Sequence, residues 1–327
     1  MSTVEPTGKK APTAAVIGAC LGAAGLFEAL TLFATHDKPV RAVSPWQDDP
    51  YDAVLSFTQF AVPMLAAVVL LRLLVRRAPD APGRTDRAQQ TARAAGAMLA
   101  LAALTLAAEW ASVIARVGYA AWNGWTAFLI GGLAVNSLVT GLVLALLRRY
   151  RAPRGSSGRW RHDWLGDVVL LCERIPVLRI LARPEAAGWV RRHALTVFVA
   201  ASTVAATGIT AAQAIGERWT DPLLVLWMFA VELTAFLAFC VLANAVAGFI
   251  ARPARPRGRR VAESSLVVGA VATHLTVAFR NLLWPGATPL TSVPTVFAFT
   301  FGVGLAAGAA AVLLQLVPAA RVRSRAG

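Results

Sequence analysis

The sequence predicts an all-α fold, a polytopic helical membrane protein with about eight transmembrane helices, and three observations support this prediction. Of the 327 residues, 57% are hydrophobic and 15% are charged, and the mean hydropathy is +0.59. So few charged groups cannot cover a water-soluble particle of 34.5 kDa. The apolar residues form continuous runs without the two-residue alternation of a barrel strand, and each run can cross about 30 Å of hydrocarbon as a helix.

Windows of about 19 residues define the individual spans. In chain order the eight apolar segments are 13–35, 53–75, 93–115, 125–147, 194–215, 222–250, 262–284 and 292–317. Asp49-Pro50 precedes the second segment and Asp221-Pro222 begins the sixth. Both pairs favour a helix start, because Asp caps the first turn and Pro fits the first helical position.

The basic residues predict the orientation. Of the 32 Lys and Arg residues, 27 fall in the tails and loops on the N-terminal side, and the other 5 fall on the opposite side. Because cytoplasmic loops collect Lys and Arg, we expect a multi-pass protein of the cell membrane with both termini in the cytoplasm. This bias accounts for the net charge of +15. We therefore expect the lipid bilayer and anionic lipid at the cytoplasmic face as partners, and no nucleic acid. The 29 Arg residues against 3 Lys are typical of a GC-rich bacterial genome.

The chain divides into two membrane halves with a basic linker between them. In order, the segments are a cytoplasmic tail 1–12, a first four-helix half 13–147, a linker 148–192, a second four-helix half 193–317 and a basic tail 318–327. Trp46-Gln47-Asp48-Asp49-Pro50 and Trp219-Thr220-Asp221-Pro222 precede corresponding spans, which favours a parallel 4+4 tandem repeat. The alternative is two independent helix starts with Trp at the membrane interface.

The linker contains a predicted amphipathic helix. Its apolar residues recur at helical spacing, with charged residues such as Asp167 elsewhere around the helix. These apolar residues are Trp160, Trp164, Val168, Leu171, Cys172 and Ile175. The pattern favours a helix in the inner headgroup region, with a docking site for a cytoplasmic protein as the alternative.

Ionisable residues inside the spans are the main functional signal, because each costs about 2.5–3.5 kcal/mol to insert. The candidate intramembrane polar pathway consists of Glu28, Glu109, Arg116, Glu232, His274 and Arg280. Thr105, Glu109, Ser112 and Arg116 occur at i, i+4, i+7 and i+11, a single stripe that should face protein or water. The pattern indicates a polar cavity that opens outward. The alternative is hydrogen bonding between helices, with Arg116 and Arg280 pairing the carboxylates.

The loop after the first span is a candidate outer sensing or cation loop. Its ligand-type residues are His36, Asp37, Asp48, Asp49 and Asp52. Oxygen ligands suit a hard cation, but the spacing matches no EF-hand, and a solvated, salt-bridged loop is the alternative. Three cysteines without a C-x-x-C pair predict no disulfide framework, and we expect no metal and no cofactor.

The sequence carries no nucleotide-binding, serine-hydrolase or zinc-protease motif, so we expect no enzyme. The leading hypothesis is a transporter or permease-type subunit with an outward-facing polar cavity. The alternative is a membrane-embedded sensor or regulator whose basic inner surface binds a sigma factor, a kinase or a similar signalling protein. Gly18-x-x-x-Gly22 and Gly304-x-x-x-Gly308 permit close helix approach, within the chain or in a homo-oligomer.

Overall fold

The computed structural model describes residues 14–46, 51–74, 84–116, 123–149, 164–179, 183–251, 257–283 and 293–316. These ranges are almost entirely helical, and no strand occurs within them. The predicted all-α class is therefore confirmed for the described part of the chain.

Eleven α-helices occur in these ranges. They are α1 Ala14–His36, α2 Lys38–Arg41, α3 Tyr51–Leu74, α4 Arg84–Arg116, α5 Gly124–Arg149, α6 Trp164–Arg174, α7 Pro184–Arg192, α8 Ala194–Gly216, α9 Pro222–Ala251, α10 Arg257–Leu283 and α11 Val293–Leu316. A short 3-10 turn, Pro176–Leu178, follows α6. The start of α9 is as predicted, since Asp221 Oδ1 accepts from the backbone N–H of Leu223 at 2.9 Å and Pro222 is the first helical residue.

Six of the described helices are long and apolar enough to cross a bilayer. They are α1, Phe57–Leu74 of α3, Gln90–Ala115 of α4, α5, α8 and Pro222–Ala247 of α9. All six coincide with the first six predicted spans, and they indicate a helical membrane protein. Shorter apolar stretches are described at Val261–Thr273 in α10 and Gly302–Gln315 in α11, where the last two spans were predicted. The total of eight stays a prediction.

The first of two compact units comprises the described parts of Met1–Arg161 and Ala254–Gly327. Within it α4 contacts four other long helices, α1, α3, α5 and α10, while α11 packs along α10. Met98, Leu99 and Ala102 of α4 are completely buried, so α4 is the central helix of this unit. Because α10 and α11 belong to this unit, the grouping differs from the two sequence halves, and the tandem repeat stays a prediction.

The second compact unit, within His162–Pro253, contains α6 to α9. Helices α8 and α9 form an antiparallel hairpin in which Ser202 Oγ donates to Cys240 Sγ at 3.9 Å. In and after α6, Asp167 is only 2% exposed, whereas Ile175 lies beyond the end of the helix and is 39% exposed, and the interfacial helix stays a prediction. The chain turns at Pro176, so Ile175 no longer follows the face of α6. Trp160 lies outside the described residues.

Small residues bring α10 and α11 into close contact. A Cβ on Gly269 would lie 2.9 Å from the carbonyl oxygen of Gly304, and a Cβ on Gly308 would lie 3.2 Å from the carbonyl oxygen of Ser265. The approach expected at Gly304-x-x-x-Gly308 therefore occurs within the chain. By contrast, a Cβ on Gly18 or Gly22 would have no atom within 4 Å.

We expect Gly304→Val to destabilise this helix pair. A Cβ at this position would overlap Thr273 Oγ1 and lie 3.0 Å from the carbonyl oxygen of Gly269, so the helices would have to separate. The free energy of unfolding in detergent should fall by about 1–3 kcal/mol, the usual cost of overpacking. The matched control is Gly302→Val, because a Cβ on Gly302 would have no atom within 4 Å. Equal losses in the two variants would contradict the described packing.

Candidate intramembrane polar site

The polar stripe of α4 lies inside the first unit. Thr105 and Ser112 are completely buried, and Glu109 is 1% exposed. Because these residues occur at i, i+4 and i+7, they share one face of α4, and that face is covered by protein. The side chain of Arg116, the last member of the stripe, lies outside the described part of the structure.

Two contacts from α4 to other segments bracket Glu109. One turn before it, the hydroxyl groups of Thr105 and Thr58 lie 2.9 Å apart, which joins α4 to α3. One turn after it, Ser112 Oγ donates to the carbonyl oxygen of Pro45, which joins α4 to the segment after α2. Glu109 therefore lies between two fixed points, at the end of the unit that the charge bias predicts to be outside, hereafter the outer end.

The carboxyl group of Glu109 is buried without a hydrogen-bond donor or a cation to pair with it among the described residues. Within the residues that the structure describes, neither carboxyl oxygen of Glu109 has a hydrogen-bond partner. A polar group buried in this way costs about 1–3 kcal/mol relative to a hydrogen-bonded one, and a charged one costs more. Such a carboxyl group can accept a proton, a cation or a hydrogen-bond donor on a solute.

Residues Asp37 to Trp46 form a folded segment, hereafter the cover, in which some side chains are buried and others, such as Lys38 and Arg41, are exposed. Asp37 Oδ1 accepts from the N–H of Val40 at 3.2 Å and so caps the short helix α2. Val40 and Trp46 are completely buried, and Ser44 is 3% exposed. The cover is fixed to α4 through the Ser112 contact to Pro45.

Only two of the five residues of the candidate outer loop, His36 and Asp37, have described side chains, so the cation loop stays a prediction. His36 is exposed, with Nδ1 2.8 Å from the hydroxyl oxygen of Thr35, and Asp37 acts as a helix cap. Asp48 and Asp49 lie outside the described residues, as does the side chain of Asp52. Among the described residues there is no group of three or more His, Cys, Asp and Glu side chains that could hold a metal ion.

Glu28 lies at a different depth from Glu109. Gln59 Nε2 donates to Thr35 Oγ1 at 2.9 Å, and its neighbour Thr58 contacts Thr105, so Thr35 and Thr105 lie at nearly the same level of α3. Glu28 is seven residues before Thr35, about 10 Å inward, and Glu109 is four residues after Thr105, about 6 Å outward. These two acids therefore do not meet at one level. Glu28 is half-buried, and its Oε1 has no hydrogen-bond partner among the described residues.

Glu232 lies in the second unit, on the face of α9 toward α8. The Ser202–Cys240 contact sets the register of this antiparallel hairpin. Thr210 follows Ser202 by eight residues on α8, and Glu232 precedes Cys240 by eight residues on α9. Because the two helices are antiparallel, Thr210 and Glu232 lie at the same level. Glu232 is half-buried and Thr210 is 3% exposed. The hydroxyl group of Thr210 and Oε1 of Gln213 have no hydrogen-bond partner among the described residues.

His274 and Arg280 lie on α10, but the structure describes neither side chain. A further polar pair, absent from the predicted site, lies on α5. Asn136 and Thr140 are 2% and 1% exposed, and Asn136 Oδ1 and Thr140 Oγ1 have no partner among the described residues. Their i, i+4 spacing in an apolar helix was the available signal. Nearby, Trp110 Nε1 donates to Ser137 Oγ at 2.9 Å and joins α4 to α5.

Together these features define a helical membrane protein whose apolar helices carry buried acidic and amide side chains. No protein-family model, curated protein or solved structure matches the chain.

We expect Trp46→Ala to loosen the cover. Trp46 is completely buried, so the loss of its ring should lower the free energy of unfolding in detergent by about 3–5 kcal/mol. The control is Trp125→Ala, because Trp125 is 46% exposed and its ring pairs with Phe33 and Phe128 are worth about 0.5–1.5 kcal/mol each. A Trp46→Ala loss no larger than the control's would show that the cover is not part of the packed core.

Proposed function

We propose that the protein is a transporter or a permease-type subunit, in which Glu109 and Glu232 take part in the path of a proton, a cation or another polar solute. The burial of Glu109 is the main support: it is 1% exposed, and its oxygens lack hydrogen-bond partners among the described residues. Because an intramembrane carboxyl group costs about 2.5–3.5 kcal/mol to insert, such groups mark ion and substrate pathways.

In this proposal the cover closes the transport path on the outer side. Two observations support a closed outer end: Ser112 contacts the carbonyl oxygen of Pro45, and the ring of Trp46 is buried. The outward-facing polar cavity forms when the cover separates from α4 at this contact. Alternating access requires one segment to move relative to the rest of the helix bundle. The cover has ten residues, fewer than any of the membrane-spanning helices, and we propose that it is the segment that moves.

The proposal includes the setting of the protein. We place it as a multi-pass protein of a bacterial cell membrane with both termini in the cytoplasm, because the basic residues lie predominantly on one side. Its partners are the bilayer and anionic lipid, with a homo-oligomer as a further arrangement, and no nucleic acid. Its activity is transport, without an enzyme reaction, a metal or a cofactor.

Flux through reconstituted vesicles tests the assigned path. The full chain is incorporated into liposomes that contain a pH-sensitive or a sodium- or potassium-sensitive dye, and a gradient of each ion is imposed in turn. We expect faster flux of one of these ions than in empty liposomes. Glu109→Gln and Glu232→Gln should insert normally and lower that flux by about tenfold or more, which corresponds to a barrier higher by about 1.4 kcal/mol.

The matched control for these variants is Glu185→Gln, because Glu185 is exposed in the first turn of α7, outside the apolar spans. Its flux should equal that of the unaltered protein. Full flux in both Glu109→Gln and Glu232→Gln would remove these residues from the path. Wild-type flux no faster than in empty liposomes for all three ions would overturn ion transport as the activity.

A membrane-embedded sensor or regulator is the second candidate function, and the linker supports it. Two short helices, α6 and α7, form on the basic segment between α5 and α8. Val177 and Trp189 in this region are 85% and 49% exposed. Exposed apolar side chains beside arginines suit a cytoplasmic signalling protein that docks on the inner surface.

Crosslinking in native membranes, followed by detergent purification and mass spectrometry, tests this candidate. If the protein is a regulator, we expect a signalling or transcription protein in near-stoichiometric amount, and deletion of 159–183 should release it. Deletion of 151–158, the adjacent Pro-, Gly- and Ser-rich stretch, is the control and should retain the partner. A partner that stays bound after deletion of 159–183 would argue against this surface, and a co-purified ATPase would favour the permease subunit.

A further inference from the structure

An open groove runs along α8 in the second unit. One wall is the ring of Trp189 on α7, and the floor is one face of α8 between Thr196 and Ala205. The cavity volume is about 580 Å³. Val197, Ala201 and Ala205 occur at i, i+4 and i+8 along this floor, which makes it continuous along the helix. The face of α8 that carries Ser202, Ala206 and Thr210 is buried and belongs to a different side of the helix.

The groove is apolar and as long as one membrane leaflet is thick. The hydroxyl group of Thr196 and the indole N–H of Trp189 are the polar side-chain groups among its lining residues. From Thr196 to Ala205 the helix rises about 13–14 Å, close to half of the roughly 30 Å hydrocarbon core. Because Ala200, Ala201 and Ala205 have short side chains, a narrow, flexible acyl chain can lie close to the backbone of α8.

Positive charge lies at the α7 end of the groove. Arg191 and Arg192 are exposed in the last turn of α7, beside Trp189. The Nη1 atom of Arg192 is 3.9 Å from the position that a Cβ on Gly188 would take, so its guanidinium group lies back along the helix. The imidazole ring of His193 stacks on Trp189 with ring centroids 4.8 Å apart and holds the indole in place. Glu185, in the first turn of α7, is the acidic residue of this helix.

We propose that this groove is a specific binding site for an anionic phospholipid of the leaflet on the α7 side. One acyl chain lies along α8 from Thr196 to Ala205, with Trp189 at the level of the glycerol backbone, and Arg191 and Arg192 bind the phosphate. Three features select this occupant: the apolar lining, the length of one leaflet, and the arginines at the end where the headgroup lies. The site is distinct from the diffuse attraction of a basic face for acidic lipid, because it holds one lipid in one place.

Native mass spectrometry of the full chain tests the site. The protein is reconstituted in phosphatidylcholine vesicles with or without phosphatidylglycerol, extracted in mild detergent, and the retained lipid is counted. We expect one tightly retained phosphatidylglycerol. Ala201→Leu should lower its retention by filling the floor of the groove, because Ala201 lines it and is exposed. The matched control, Ala211→Leu, is an exposed alanine of α8 outside the lining and should leave retention unchanged.

A charge variant tests the headgroup contact independently of the groove. Arg191→Gln with Arg192→Gln should lower the preference for phosphatidylglycerol over phosphatidylcholine by about thirtyfold, since each arginine near an anionic headgroup contributes about 1 kcal/mol. The same change at Arg148 and Arg149, two exposed arginines in the last turn of α5, is the control and should have a much smaller effect.

Two results would overturn the proposal. The first is equal retention of phosphatidylglycerol in Ala201→Leu and Ala211→Leu, which would place any retained lipid elsewhere. The second is a change from oligomer to monomer in Ala201→Leu without a change in lipid retention, which would assign the groove to a second copy of this chain. Both arginine pairs lie at the surface, so their comparison remains decisive if Ala201→Leu fails to fold.

Discussion

The bilayer offers no water to hydrogen-bond with polar groups, and this constraint places α4 at the centre of the first unit. A helix that carries Glu109 on this face cannot turn the face toward lipid without exposing the carboxyl group to hydrocarbon. Thr105 pairs with Thr58 of α3, and Ser112 pairs with the carbonyl oxygen of Pro45. Neighbouring helices therefore surround α4. Glu109 is buried between these two contacts, although neither of its carboxyl oxygens has a hydrogen-bond partner among the described residues.

The difference in height between α1 and α4 explains the cover. Thr35 and Thr105 lie at nearly the same level, yet α1 ends one residue later at His36, while α4 continues for eleven residues to Arg116. The space above α1 is therefore about 15 Å high. Helix α2 and Trp46 belong to the segment that follows α1, and both Val40 of α2 and Trp46 are completely buried. In this segment Asp37 caps α2 and the carbonyl oxygen of Pro45 contacts Ser112 of α4.

The second unit is built around one helix hairpin. Its α8–α9 hairpin buries a narrow row of small residues, Ser202, Ala206 and Thr210, and leaves the remaining faces of α8 exposed. Exposed apolar faces of this kind suit contact with lipid, and the small side chains of α8 shape the groove proposed for one lipid. Within the described part of the chain, the hydroxyl group of Thr210 and Oε1 of Gln213 again have no hydrogen-bond partner, at and beyond the level of Glu232. Each unit therefore carries its own intramembrane polar group.

The sequence by itself determined the membrane class, the six described apolar helices, the capped start of α9 and the polar face of α4, because composition, length and helical period are local properties. The tertiary structure alone decided the depth of Glu28 relative to Glu109, the burial of Trp46, the partner of Gly304 and the unit to which α10 and α11 belong. Helical periodicity assigns a residue to a face of its own helix. It contains no information on the neighbour that covers this face or on how far one helix is displaced along another, since both depend on side chains far apart in the chain.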